Sequence, residues 1–192
     1  MNEVARHSSA YQGFVDCAIA IVDELGVDGL VMRELAHRTH YSVSTVSYHV
    51  TPWSTFLTQV WSAAREAFVA EVVPPPPIDQ RWFHTMAEAT VAWAQAHPLL
   101  AQFLISHFPR PEVELHRPPT IEANCREMGL DDVPADRVTA QVVIRQAQSL
   151  VEAAIHVGGA DGVRLLAEQL HHQYGHWREL ALTVTARDRT TP

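Results

Sequence analysis

Six of the eight side chains from Ser42 to His49 carry a hydroxyl or an imidazole, and the other two are valines. Short uncharged groups of this kind donate and accept hydrogen bonds to base edges and phosphate oxygens, and a phenol such as Tyr48 has the reach for a phosphate. Arg33, a little upstream, adds a cation to the same neighbourhood. Chemistry of this sort needs a rigid element to present it, so the surrounding residues decide whether it can be used.

The stretch from Gly26 to Leu57, GVDGLVMRELAHRTHYSVSTVSYHVTPWSTFL, reads as a short helix, a tight turn and a second short helix, followed by a Thr-Pro helix start. That is the layout of a helix-turn-helix, in which the first helix braces the backbone and the second enters the major groove. Ala36 supplies the small residue where the two helices touch. His40 occupies the turn position that needs a positive φ, and Val46 anchors the second helix from inside. Val43, Ser44, Ser47 and Tyr48 then face outward, with Thr45 and His49 at the edges and Ser42 as cap. The same pattern fits a structural helix pair with no nucleic-acid role, and the residues alone leave both readings open.

The elements that would position this motif are helical throughout, and no alternating strand pattern is found. Phe14, Ala18, Ile21, Val22 and Leu25 fall on one face of a first helix, and Gly26 suits the left-handed position past its end. The spacing predicts a second helix over Met32 to Thr39 and a third to about His49. A fourth begins with Thr51 as cap and Pro52 in its first turn, and carries Phe56, Leu57, Val60, Trp61, Ala64 and Phe68 as its stripe. Pro74 to Pro77 ends it. Trp82, Met86, Ala89, Trp93 and Ala96 mark a fifth helix closed at His97-Pro98, and Leu99, Leu100, Phe103, Leu104 and His107 mark a sixth. Beyond a proline-rich loop at about Phe108–Pro118, a short helix carries Ile121, Cys125 and Met128. Two long helices follow, about Pro134–Val157 and Asp161–Ala186, separated by Gly158-Gly159. The expected architecture is all-α: an N-terminal three-helix helix-turn-helix head (1–50), a connecting helix (51–73) and a larger C-terminal helical body (78–192).

Bulk properties narrow the class. The chain has 192 residues, 47% hydrophobic and 19% charged, ordinary for a globular protein with a buried core. No apolar run has the length to span a bilayer, the N-terminus has no signal-peptide core, and two cysteines do not make a disulfide framework. A cytoplasmic protein with no membrane association is expected. The net charge is −8, and all fourteen cations are arginine. A basic footprint, which supplies much of the affinity of a DNA binder, is absent at the level of whole segments.

The residues Gly26, Gly29-Leu30, Arg33, Leu35-Ala36, Ser42, Thr45-Val46, Tyr48-His49-Val50 and Phe56-Leu57 resemble the N-terminal domain of tetracycline-repressor (TetR) family regulators, over roughly residues 11–60. The sequence departs from that family's pattern at Val31 (usually a Ser/Thr cap), His40 (usually Gly), Ser47 (usually aromatic) and Trp53 (usually Lys). The resemblance implies a homodimeric, ligand-responsive DNA-binding transcriptional regulator, a repressor released by a small hydrophobic effector. Its partners would be a palindromic double-stranded operator and that effector. The implied DNA contacts are Arg33, Ser42, Val43, Ser44, Thr45, Ser47, Tyr48 and His49. In the family's layout the effector cavity falls among Trp82, Phe83, Met86, Trp93, Phe103 and His107, residues that simple core packing explains at least as well one by one, and the last two long helices form the dimer interface.

Other classes are constrained by what is missing. No Gly-rich phosphate loop, nucleophile elbow or HExxH metal motif occurs, so no enzyme activity, cofactor or metal is expected. His172 and His176, four apart on the last helix, lack further ligands at a recognised spacing and read as surface positions. Cys17 and Cys125 read as core thiols. The alternative to a regulator is a TetR-like dimeric ligand-binding or interaction protein with weakened or lost DNA binding.

Overall fold

The computed structural model of the chain describes residues 3–75, 77, 79–107 and 161–172, and every regular element among them is helical. α1 (Glu3–Leu25) buries Phe14, Ala18, Ile21 and Val22 completely, the face anticipated from their spacing. Leu25 departs from that face and is exposed. The chain turns away immediately after it into a single 3-10 turn (Val27–Gly29), and a Cβ at Gly29 would collide with the Leu25 side chain. Leu25 therefore covers that turn instead of the core.

Gly26 has the positive φ expected past a helix end, but its ψ of 177° lies far from the left-handed helical region. This extended region at positive φ is open essentially to glycine alone. Its N–H still closes onto the Val22 carbonyl at 2.9 Å.

α2 (Met32–Thr39) and α3 (Val43–Val50) follow the expected boundaries, with Leu35, Ala36, Val46 and Val50 buried. Between them His40 adopts φ 58°, ψ 27°, a left-handed residue that is not glycine. Its N–H and that of Tyr41 turn back onto the carbonyls of His37 and Ala36, at 3.3 and 3.2 Å. Val31 begins α2 with no side-chain cap, whereas Ser42 caps α3 by accepting the Thr45 N–H at 3.1 Å.

α4 (Trp53–Val72) starts differently from the sequence expectation. Thr51 does not cap it; the Thr51 hydroxyl donates back to the Ser47 carbonyl at 2.7 Å and closes α3. The first carbonyl of α4's ladder is that of Pro52, which accepts the Phe56 N–H at 3.1 Å. Phe56, Val60, Trp61, Ala64 and Phe68 are buried along α4, and Leu57 is half-buried. α5 (Gln80–Ala96) and α6 (Pro98–Ser106) complete the labelled helices.

The described helices group into two compact units. The first holds α1, α2, α3, α4 as far as Ala67, and α6. Within it α1 packs against α2, α3 and α6. The buried Trp61 indole donates to the Leu104 carbonyl at 3.0 Å, tying α4 to α6, and the His97 ring nitrogen Nδ1 lies 2.8 Å from an Asp23 carboxylate oxygen, tying α6 to α1.

The second unit holds α4 from Phe68, α5, and the helical residues 161–172, where Leu166, Ala167 and Leu170 are buried. In α5 the buried face is Phe83, Ala87, Thr90, Val91 and Ala94, together with Trp93. The expected stripe through Trp82, Met86, Ala89 and Ala96 is rotated away from it, with the first three half-buried and Ala96 exposed. Thr90 joins the buried face because its hydroxyl is satisfied by the Met86 carbonyl at 2.7 Å.

No described helix is long and apolar enough to cross a membrane. The proline-rich loop, the helix with Ile121, Cys125 and Met128, the Pro134–Val157 helix, Gly158-Gly159, and the last helix beyond His172 lie outside the described residues.

The left-handed turn yields a direct stability test. Replacing His40 with valine, whose branched Cβ is incompatible with positive φ, is expected to cost about 1–2 kcal/mol. Urea denaturation should show that loss for His40→Val, with His40→Gly at least as stable as the parent.

A candidate nucleic-acid interface

Around α3 the exposed surface is built from the side chains singled out in the sequence. Tyr48 is 76% exposed, Val43 is 49% exposed, and Ser42 and Ser44 are exposed as well. Thr45 and Ser47 are half-buried. On α2 Arg33 is exposed. Val46, fully buried, is the pin that turns this face outward.

His49 is drawn in further: it is half-buried, its ring 5.5 Å from Phe14 and 5.3 Å from Tyr48. Phe14 also meets the Tyr41 ring edge-on at 5.2 Å. One buried aromatic on α1 thus seats both the residue entering α3 and the residue leaving it.

The hydroxyls at the start of α3 are occupied with one another. Ser42 Oγ lies 2.8 Å from both Ser44 Oγ and Thr45 Oγ1, in addition to capping the helix. The nearby guanidinium of Arg38 is likewise committed: it donates to Glu34 at 2.7 Å and to Glu24 at 2.8 Å. These hydrogen bonds, first to Glu34 and then to Glu24, raise its pKa above the ordinary arginine value. Arg38 therefore brings little net charge to the surface. On α4, burial lowers the pKa of Arg65, with Glu66 acting in the opposite sense.

The aromatic set anticipated as a ligand cavity is divided between the two units. Trp82, Phe83, Met86 and Trp93 lie in the second. There the Trp82 indole donates to the Pro74 carbonyl at 2.8 Å, Phe83 meets His171 at 5.0 Å, and Trp93 meets Phe68 at 4.7 Å. Phe103 and His107 lie in the first, their rings 5.1 Å apart.

Sequence reasoning did not anticipate an open groove of about 510 Å³ in the first unit, lined among others by Gly13, Cys17, Arg38, Thr39 and Tyr41. Gly13 is its sequence trace: a Cβ there would meet nothing within 4 Å, so the helix is left bare at that point. Burial raises the pKa of the Cys17 thiol; Arg38 opposes this, and Glu34 and Glu24 reinforce it.

No protein-family model and no curated protein matches the chain. Among solved structures it is similar to SCO0253, a TetR-family transcriptional regulator from Streptomyces coelicolor. The two share 22% identity over 95% of this chain and 96% of that one, at a TM-score of 0.47.

Two measurements follow from the geometry. Ser42→Ala removes the α3 cap and is expected to lower stability by about 1 kcal/mol in chemical denaturation. Because a raised pKa leaves less thiolate, alkylation of Cys17 at neutral pH should run slower than that of a free cysteine, followed by mass spectrometry of its peptide.

Proposed function

We propose that the chain is a transcriptional regulator of the tetracycline-repressor type: a cytoplasmic homodimer that binds a palindromic operator and releases it when a small hydrophobic effector binds the helical body. The observation that carries this reading is the left-handed turn at His40 between two eight-residue helices, the second of which leaves Tyr48 and Val43 exposed while Val46 is fully buried. Such a helix presents a reading surface and contributes only its inner face to the core. Each protomer would set Ser42–His49 in one major groove. Arg33 and Tyr48 would meet phosphates or base edges, and the symmetry of the dimer would be mirrored in the operator.

Trp82, Phe83, Met86 and Trp93 of the second unit are the side chains offered for the effector, whose chemistry would be apolar or aromatic; Phe103 and His107, expected beside them, belong to the first unit. The dimer interface is assigned to the helices of Ala135–Val157 and Asp161–Val184. Ligand would act by changing the separation of the two heads and so their register on the duplex.

A second reading, a dimeric ligand-binding or interaction protein without DNA binding, is favoured by the charge. The chain carries −8 overall, and Arg38 is neutralised by Glu24 and Glu34. Selection of bound fragments from the source genome at two salt concentrations separates the two. Enrichment of a palindrome that weakens with salt supports the regulator, and no enrichment at either salt supports the interaction protein. In the same assay Tyr48→Ala is expected to bind the selected fragment at least several-fold more weakly while sedimenting as an unchanged dimer; undiminished affinity would remove α3 from the reading role.

A further inference from the structure

Resting on that reading, we propose that Val43 is a specificity-determining residue that recognises thymine: in each half-site its isopropyl group packs against a thymine C5-methyl, and methyl contact replaces bidentate hydrogen bonding as the main base readout. The residue content of the reading segment leads there first. Between Arg38 and Gln59 there is no Arg, Lys, Asn, Gln, Asp or Glu. Those are the side chains that pair with guanine, adenine and cytosine edges, so none of the strong base contacts is available from α3.

Three of the remaining hydroxyls are partly engaged within the helix start. Ser42 Oγ lies 2.8 Å from both Ser44 Oγ and Thr45 Oγ1 and accepts the Thr45 N–H at 3.1 Å. Each keeps some capacity for a base edge, but a single hydroxyl pairs with more than one base and so discriminates weakly. Tyr48, on a different side of the helix from Val43, projects a phenol whose reach suits the backbone.

Val43 stands apart from this network. It is the first residue of α3 and 49% exposed, so about half of its surface is open to solvent, while Val46 and Val50 further along the helix are buried. A β-branched side chain has low helix propensity, and burial accounts for only part of this one. The only apolar feature of a base pair in the major groove is the thymine methyl, and a short aliphatic side chain at the entering end of a recognition helix can contact it.

The test uses the full chain. Duplexes bound by the protein are selected from a random-sequence pool, and the recovered site is resynthesised with deoxyuridine for thymine, which removes the methyl and keeps every hydrogen-bonding group. The expected result is a fixed thymine in each half-site whose replacement weakens binding about four-fold per half-site, the effect of one buried methyl. Val43→Ala should bind the thymine duplex with the same loss and show no further loss on the deoxyuridine duplex. Circular dichroism should be unchanged for that variant, since an exposed valine is replaced by a better helix former. Half-sites without a fixed thymine, equal binding of the deoxyuridine duplex, or a full deoxyuridine penalty in Val43→Ala would each overturn the inference while leaving the regulator reading in place. Failure to enrich any duplex would overturn both.

Discussion

Two helices of eight residues each carry the exposed polar face, and neither has the length to persist in water alone. Their existence depends on one interaction, the burial of the Phe14–Ala18–Ile21–Val22 stripe of α1 against the inner faces of α2 and α3. Phe14 does the most, because its ring is bracketed by Tyr41 before α3 and His49 near its end. Removing that ring would release the turn and α3 together.

The last turn of α1 makes a second set of connections. Adjacent carboxylates diverge there: Asp23 reaches the His97 ring at the start of α6, and Glu24 reaches Arg38 on α2. Arg38 in turn holds Glu34 one turn back on its own helix. α1 is therefore a common support, with an apolar face for the helix pair and a polar end that touches α2 and α6. Neither pair is deeply buried, so solvent screens both and their value lies more in orientation than in stability.

Much of this was legible in the residues. The boundaries of α2 and α3, the Ser42 cap, the positive φ at His40 and the inward Val46 all follow from local rules of turn chemistry and spacing, which act over a few residues. The errors arose where tertiary context decides. Leu25 continues the periodic stripe of α1 but lies over the 3-10 turn, because the chain departs at Gly26. In α5 the large residues Trp82 and Met86 suggested the buried face, yet the helix turns Phe83, Ala87, Thr90 and Ala94 inward. Thr51 had two helices to choose from, and its hydroxyl went to the one behind it. The Asp23–His97 contact spans 74 positions of sequence and left no trace in any local pattern.

The neutralisation of Arg38 has a bearing on how such a head would find its target. Non-specific attraction to a duplex comes from cations that displace its counterions, and it is what lets a protein linger and slide on arbitrary sequence. If α3 reads DNA as proposed, a surface that offers Arg33 but spends Arg38 on two carboxylates would forgo much of that attraction. Its search would run through bulk solution, in separate collisions, with little of the population sequestered on the rest of the genome. Occupancy would then track the amount of free protein closely, because the vast excess of wrong sites competes so weakly.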